Sequence, residues 1–445
     1  MRSSTPSVGS WKAQATSSEG QVVVVNSPVR SKPSVRQPSS GAQKRTVRSL
    51  GKNFWSKVEG RSSSAGSSYY LILGATLALV VIGLMMVFSA SAVEQTSSNS
   101  NPLVLGTKQS VFAVLGIIAM LVLSRMSPRL LKGAAWPLMA LSLVTLLLVV
   151  FVGSNRGGNQ NWIGIGDFSF QPSELAKFSL ALWMATVLAA KEKLLDQWQH
   201  MFLPVVPVAA LVVGFILLGR DLGTAMIVMA IAASGLFFAG VSRKIFIGAA
   251  LIGFLAAVAL ALTNSNRQDR LGAWLGRCDP GQDPQGLCDQ ARSGMYALAS
   301  GGWWGVGLGQ SRQKWNWIPE AHNDFIFAII GEEFGLLGTL VIIALYAVIA
   351  IAMFRVIVRF NDMFVRVVCG CIMTWVIGQA FVNIAMVTGI LPVIGVPLPL
   401  VSYGGMALTV GLAAMGVVLS FARNQPEADA AGGRSRTLKR KTKVS

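Results

Sequence analysis

At 445 residues, with 53% hydrophobic and only 13% charged side chains, the chain is too apolar for a soluble domain of ordinary composition. Its apolar residues gather in continuous runs of about 18 or more, the helical length that crosses a bilayer core, which excludes a barrel of short alternating strands. The formal charge of +19 would suit a nucleic-acid binder, but nearly half of the Lys and Arg fall in two tails that hold few aromatics, Trp11, Phe54 and Trp55, so a cytoplasmic membrane face explains them and no nucleic acid is expected.

Residues 1–67 are rich in Ser, Gly, Pro, Lys and Arg and hold too few large apolar groups to bury a core, which predicts a disordered basic tail; so long a basic lead is unlike a signal peptide. Spans follow at about 70–90, 110–124, 134–152, 172–190, 202–218, 222–240, 245–262, 323–353, 367–388 and 406–423. Pro204 and Pro207 fall in early turns, where a missing amide hydrogen does least harm. Basic turns at 125–132, 191–193, 243–244 and 355–366 mark the inner side. The prediction is an all-α polytopic membrane protein with ten transmembrane helices over 68–423 and both termini cytoplasmic, closed by a second basic tail at 424–445. Residues 153–171 read as a Gly/Asn-rich loop. Residues 263–322 form one large extracytoplasmic loop between helices 7 and 8, too long for a mere connection, with Trp303, Trp304, Trp315 and Trp317 suited to the headgroup level.

Cys369 and Cys371 sit two apart in an apolar run and point to different sides of a helix, as core residues do. Cys278 and Cys288 lie in the polar stretch RCDPGQDPQGLC, where an extracytoplasmic position favours a disulfide. With only His200 and His322 as histidines, a zinc cage is not expected.

This topology brings Arg156, Glu174, Lys177, Arg220, Asp221, Glu320, Asp324 and Ser402 to one outer face, with Lys108 in the first outer loop and His322 beside Asp324. Ionisable groups at membrane depth are costly and tend to be functional; paired structural ions are the alternative for any one of them. They are densest in WNWIPEAHNDFIFAIIGEEFG, residues 315–335, where Glu332 and Glu333 lie deeper and suit packing or coupling. GVGLG at 305–309 lacks the strand context of a nucleotide loop.

Five motifs in order, QPSELAK (171–177), DLGTA (221–225), ASGGWWGVGLGQ (299–310), PEAHNDFIFAIIGEEFG (319–335) and LPVIGVPLPLVSYGG (391–405), resemble the SEDS family of shape, elongation, division and sporulation proteins, over about residues 69–423 and most closely in its division branch. The resemblance implies a peptidoglycan glycosyltransferase that polymerises lipid II at the outer face of the cytoplasmic membrane and releases undecaprenyl pyrophosphate. It also implies a class B penicillin-binding protein and other divisome proteins as partners, at the division septum. It makes Asp324 the essential acid, and Glu174, Lys177, Asp221 and Ser402 cavity residues. Two departures stand out: Asn159-Gln160-Asn161-Trp162 replaces a basic run, leaving Arg156 as a shifted substitute, and Met406-Ala407 replaces serines after SYGG.

The chemistry agrees with that implication. A sugar hydroxyl attacking an anomeric carbon needs a base within hydrogen-bond reach, which Asp324 supplies. The departing pyrophosphate needs positive charge from Lys, Arg or a divalent cation such as magnesium or manganese. Lys177 is the first choice, with a local Glu174–Lys177 pair as the alternative. A lipid II flippase or transporter, and a divisome scaffold, are the competing functions.

Overall fold

The computed structural model of the protein describes residues 67–97, 101–156, 159–165, 168–194, 197–241, scattered positions between 247 and 259, then 265–276, 287–315 and 321–424. Both tails and most of the seventh predicted span lie outside the described residues. The helices are α1 (Ser67–Ser97), α2 (Val104–Leu123), α3 (Pro128–Val152), α4 (Pro172–Ala190), α5 (Trp198–Leu218), α6 (Leu222–Ala239), α7 (Ser265–Trp274), α8 (Leu287–Ser300), α9 (Ile326–Arg359), α10 (Met363–Met373), α11 (Gln379–Val387) and α12 (Gly405–Arg423). Among the described residues eight helices are long and apolar enough to cross a membrane, α10 and α11 counting as one span; the apolar part of α5, Phe202–Leu218, is shorter.

Local chemistry sets several ends. Pro128 and Pro172 occupy first-turn positions of α3 and α4, where proline removes no helical hydrogen bond. Gly240 closes α6 in the left-handed conformation, φ 99°, which costs a glycine nothing. Burial then sorts the spans: α4 and α12 are 78% and 83% buried against 28% for α2 and α3, so the former make the centre and the latter face outward.

The structure corrects two expectations and adds two features. Residues 153–171 are not a plain loop but an antiparallel sheet of β1 (Ser154–Arg156), β2 (Asn159–Ile165) and β3 (Phe168–Phe170); Ser154 pairs with Trp162 and Ile163 with Phe170. Pairing satisfies backbone groups that an irregular loop would leave to solvent, so the chain is helical but not purely so. Pro204 and Pro207 lie inside α5, because the helix begins at Trp198, earlier than its apolar run. The long 263–322 segment contains α7 and α8. Finally α9 is broken at Gly335, where φ is 66° and ψ −165°.

That break is filled from outside. Residues 301–310 return against α9, with Val306 N–H donating to the Glu332 carbonyl at 2.9 Å and Leu336 N–H to the Gly302 carbonyl at 2.9 Å. A Cβ on Gly301 would lie 1.9 Å from the Gly331 carbonyl oxygen, so the approach requires glycine. The glycine-rich stretch therefore meets α9 around Glu332 to Leu337, about 9–16 Å along the helix from its start, and Trp303 and Trp304 stay exposed there.

Candidate active site

Between α10 and α11 the helix widens into a π turn, Thr374–Gly378, a distortion that recurs at functional sites. Trp375 in that turn and Gln379 just after it meet Lys177 of α4. Lys177 Nζ lies 2.7 Å from Glu174 Oε1, with the two side chains only 2% and 4% exposed. It donates to Gln379 Oε1 at 3.1 Å and sits 5.1 Å from the Trp375 ring centre. Glu174 and Lys177 are one turn apart on α4, so the pair follows from the QPSELAK spacing itself.

Gln379 also donates from Nε2 to the Pro397 carbonyl at 2.9 Å. One turn further along α11, Asn383 Nδ2 donates to the Val396 carbonyl at 2.7 Å and to the Asp324 carbonyl at 2.8 Å. These two amides hang the non-helical 391–404 segment across α11 and tie it to the start of α9. Farther along, the Leu398 N–H donates to Ser402 Oγ at 2.8 Å, and Gln109 Nε2 donates to the Ser402 carbonyl at 3.2 Å. Tyr403 N–H donates to the His322 carbonyl at 3.0 Å, and the two rings stack edge to face at 5.3 Å. Glu174, Gln379, Ser402 and Tyr403 line a cavity of about 20 Å³, room for one water.

Asp324 is half-buried just before α9. Its partner across a narrow gap is Arg270 of α7: a Cβ built on Gly395 would lie 3.4 Å from Asp324 Oδ2 and 3.7 Å from Arg270 Nη1. Gly395 has φ 75°, a conformation that only glycine adopts without strain, and its missing side chain leaves the gap open. Arg270 Nη1 donates to the Val393 carbonyl at 3.2 Å, and Trp274 Nε1 to the Gly389 carbonyl at 2.9 Å, so α7 is strapped over this corner. Burial lowers the Arg270 pKa from its ordinary value while the Asp324 charge raises it, and a group that starts so high stays protonated.

Asp324 and His322 through their backbone carbonyls, Ser402 through its hydroxyl, and the Glu174–Lys177 pair through Gln379 are thus all tied to the 391–404 segment and α11. Asp221 serves elsewhere: it caps α6 through Thr224 N–H at 2.9 Å and accepts from Asn161 Nδ2 at 2.8 Å, clamping β2 to the α5–α6 turn. Arg220 in that turn is exposed with φ 64°. Arg156 belongs to β1, and Lys108 is half-buried on α2 beside Gln109. Glu320 and Cys278 lie outside the described residues; Cys288 is disulfide-bonded. Glu332 and Glu333 hold the returning loop: Arg312 N–H donates to Glu332 at 2.9 Å, and Lys314 Nζ pairs with Glu333 at 2.9 Å beside Ser89. Among the described residues no three His, Cys, Asp or Glu side chains converge as they would around a metal ion.

Sequence reasoning missed Arg270, Gln379, Asn383 and Gln109. For the two α11 amides a signal existed, polar residues one turn apart in an apolar span. For Arg270 there was none, since its place depends on how α7 folds back.

A family model described as cell cycle protein, named for FtsW, RodA and SpoVE, matches residues 69–427. The chain is 39% identical over 367 residues to the probable peptidoglycan glycosyltransferase FtsW of Mycobacterium tuberculosis, covering 82% of this chain and 70% of that one. It is 35% identical over 355 residues to stage V sporulation protein E of Bacillus subtilis, covering 79% and 96%. Among solved structures, a chain of a peptidoglycan synthase complex that coordinates polymerization and crosslinking matches with TM-score 0.64 at 28% identity, covering 80% of this chain and 98% of that one. The rod shape determining protein RodA of Thermus thermophilus matches with TM-score 0.59 at 27% identity, covering 80% and 97%. Extent, identity and fold agree, and the chain belongs to the FtsW, RodA and SpoVE family of membrane-spanning cell cycle proteins.

Proposed function

We propose that the protein is a peptidoglycan glycosyltransferase that polymerises lipid II at the outer face of the cytoplasmic membrane during septal growth, with Asp324 as general base. The observation that carries the reading is the half-buried Asp324 facing Arg270 across Gly395. In the reaction a sugar hydroxyl passes its proton to Asp324 as its oxygen bonds to the anomeric carbon. The carbon–oxygen bond to the lipid diphosphate breaks, and undecaprenyl pyrophosphate leaves with the bonding electrons. One base suffices for such a displacement. Arg270 both orients the carboxylate and balances charge that grows on the leaving group. A magnesium or manganese ion, if used, would be held mostly by substrate phosphates, as magnesium commonly is.

A class B penicillin-binding protein is the proposed partner, consistent with the crosslinking complex to which the fold is similar; other divisome proteins would supply the septal address. The test is reconstitution: purified protein with its penicillin-binding partner converts lipid II to glycan strands. Translocation of lipid II across vesicles with no polymer formed would support the transporter reading instead.

A further inference from the structure

A second hollow lies beside Arg270. It has a volume of about 280 Å³ and is lined by α7, α8 and the turn that follows α11. Its walls come from helix faces with regular spacing: Arg270, Ala273 and Trp274 on α7, and Cys288, Ala291, Arg292 and Met295 on α8. Residues three, four and seven apart share one face, so both helices present a continuous side to the hollow. Met386, Gly389, Leu391 and Val393 close it from the third side.

The lining combines two cations with an apolar body. Arg270 is half-buried and reaches toward Asp324, whereas Arg292 is exposed at the rim. Met386 is buried, and the apolar side continues outward through the exposed Trp274, Met295 and Ile390. Two guanidiniums suit phosphate oxygens, which they grip in paired hydrogen bonds. An apolar wall of two methionines with Trp274, Leu391 and Val393 suits a flexible hydrocarbon. The volume lies near the lower end of small-ligand sites, roughly 300–1,000 Å³: enough for a diphosphate and the beginning of its lipid, too little for a disaccharide with its peptide.

We infer that this hollow binds the diphosphate end of a polyprenyl-linked substrate or product, with Arg270 and Arg292 taking the phosphates and Trp274, Met295, Met386 and Leu391 the first isoprenyl carbons. The inference rests on the proposed glycosyltransferase function and deepens it. It places the leaving group beside Arg270, the cation whose charge also acts on Asp324. Arg270 then belongs to both halves of the reaction.

The test uses the full-length protein in detergent with farnesyl diphosphate as the probe, measured by calorimetric titration. Binding is expected, with farnesol and inorganic pyrophosphate each at least tenfold weaker, because each lacks one half of the recognition. Arg292→Gln should weaken farnesyl diphosphate at least tenfold without changing thermal stability, since that side chain is exposed. Met386→Trp, which fills the hollow, should remove binding; Asp324→Asn should retain it. Wild-type affinity in Arg292→Gln and Met386→Trp, or equal binding of farnesol, overturns the inference. The two readings fail separately. A protein that polymerises lipid II but binds the probe indifferently to Arg292 and Met386 keeps the function and loses this site. A protein whose probe binding depends on both but whose Asp324→Asn variant still polymerises keeps the site and loses the base.

Discussion

Lys177 Nζ sits 2.7 Å from Glu174 Oε1 in a place almost closed to solvent, and the Gln379 amide completes its coordination. Breaking a buried pair by removing one member strands the other charge, at a cost of about 3–5 kcal/mol. Glu174→Ala or Lys177→Ala alone should therefore lower the unfolding temperature in detergent markedly. Glu174→Gln combined with Lys177→Met should cost less than either single change. A double variant less stable than both singles would contradict a pair held mainly by mutual neutralisation.

Asn383 joins Asp324 to the 391–404 segment through two carbonyls. Neutral hydrogen bonds of this kind contribute about 1 kcal/mol each, so Asn383→Ala should shift stability only modestly. Its effect on polymerisation should be larger, about tenfold or more, because misplacing a base by an ångström is costly. Single-turnover rates set beside melting curves separate the two effects.

The returning loop depends on glycine at defined positions. A Cβ at Gly335 would lie 2.4 Å from the Gly305 nitrogen and 2.6 Å from the Trp303 carbonyl oxygen, whereas one at Gly302 meets nothing within 4 Å. Both residues have positive φ, so each alanine variant carries backbone strain of about 1–2 kcal/mol. Only Gly335→Ala adds collision with backbone. Gly335→Ala should abolish recovery of folded protein from membranes while Gly302→Ala yields a protein that melts a few degrees lower.

Cys288 lies in the first turn of α8 and lines the hollow beside Arg270. A nonreducing peptide map of protein taken from cells is expected to recover it joined to Cys278. Recovery of both as free thiols would contradict that pairing.

How much of this was legible in the sequence follows from the range of the forces involved. Spans are local sums of hydropathy, so α1, α3, α4 and α12 were readable from runs of residues. Glu174 and Lys177 were readable as a pair because helical spacing alone joins them. The sheet at 154–170 was not, since its pairing lies in backbone hydrogen bonds that leave little trace in a Gly/Asn-rich composition. The break at Gly335 was hidden because Phe334 and Leu336 continue an apolar helical pattern through it. Arg270 was hidden most deeply: 54 residues before Asp324 in a polar loop, it reaches the acid only because Trp274 and its own guanidinium fasten α7 to the turn after α11.

The central claim is that Asp324 removes the proton from the attacking hydroxyl, and single-turnover polymerisation of lipid II by the wild type, Asp324→Asn and Asp324→Glu tests it most directly. General-base catalysis contributes about 10²–10⁴-fold. Asp324→Asn should fall by that much with its melting temperature and farnesyl diphosphate affinity retained, and Asp324→Glu should recover part of the rate. A folded Asp324→Asn protein that polymerises at the wild-type rate would contradict the account.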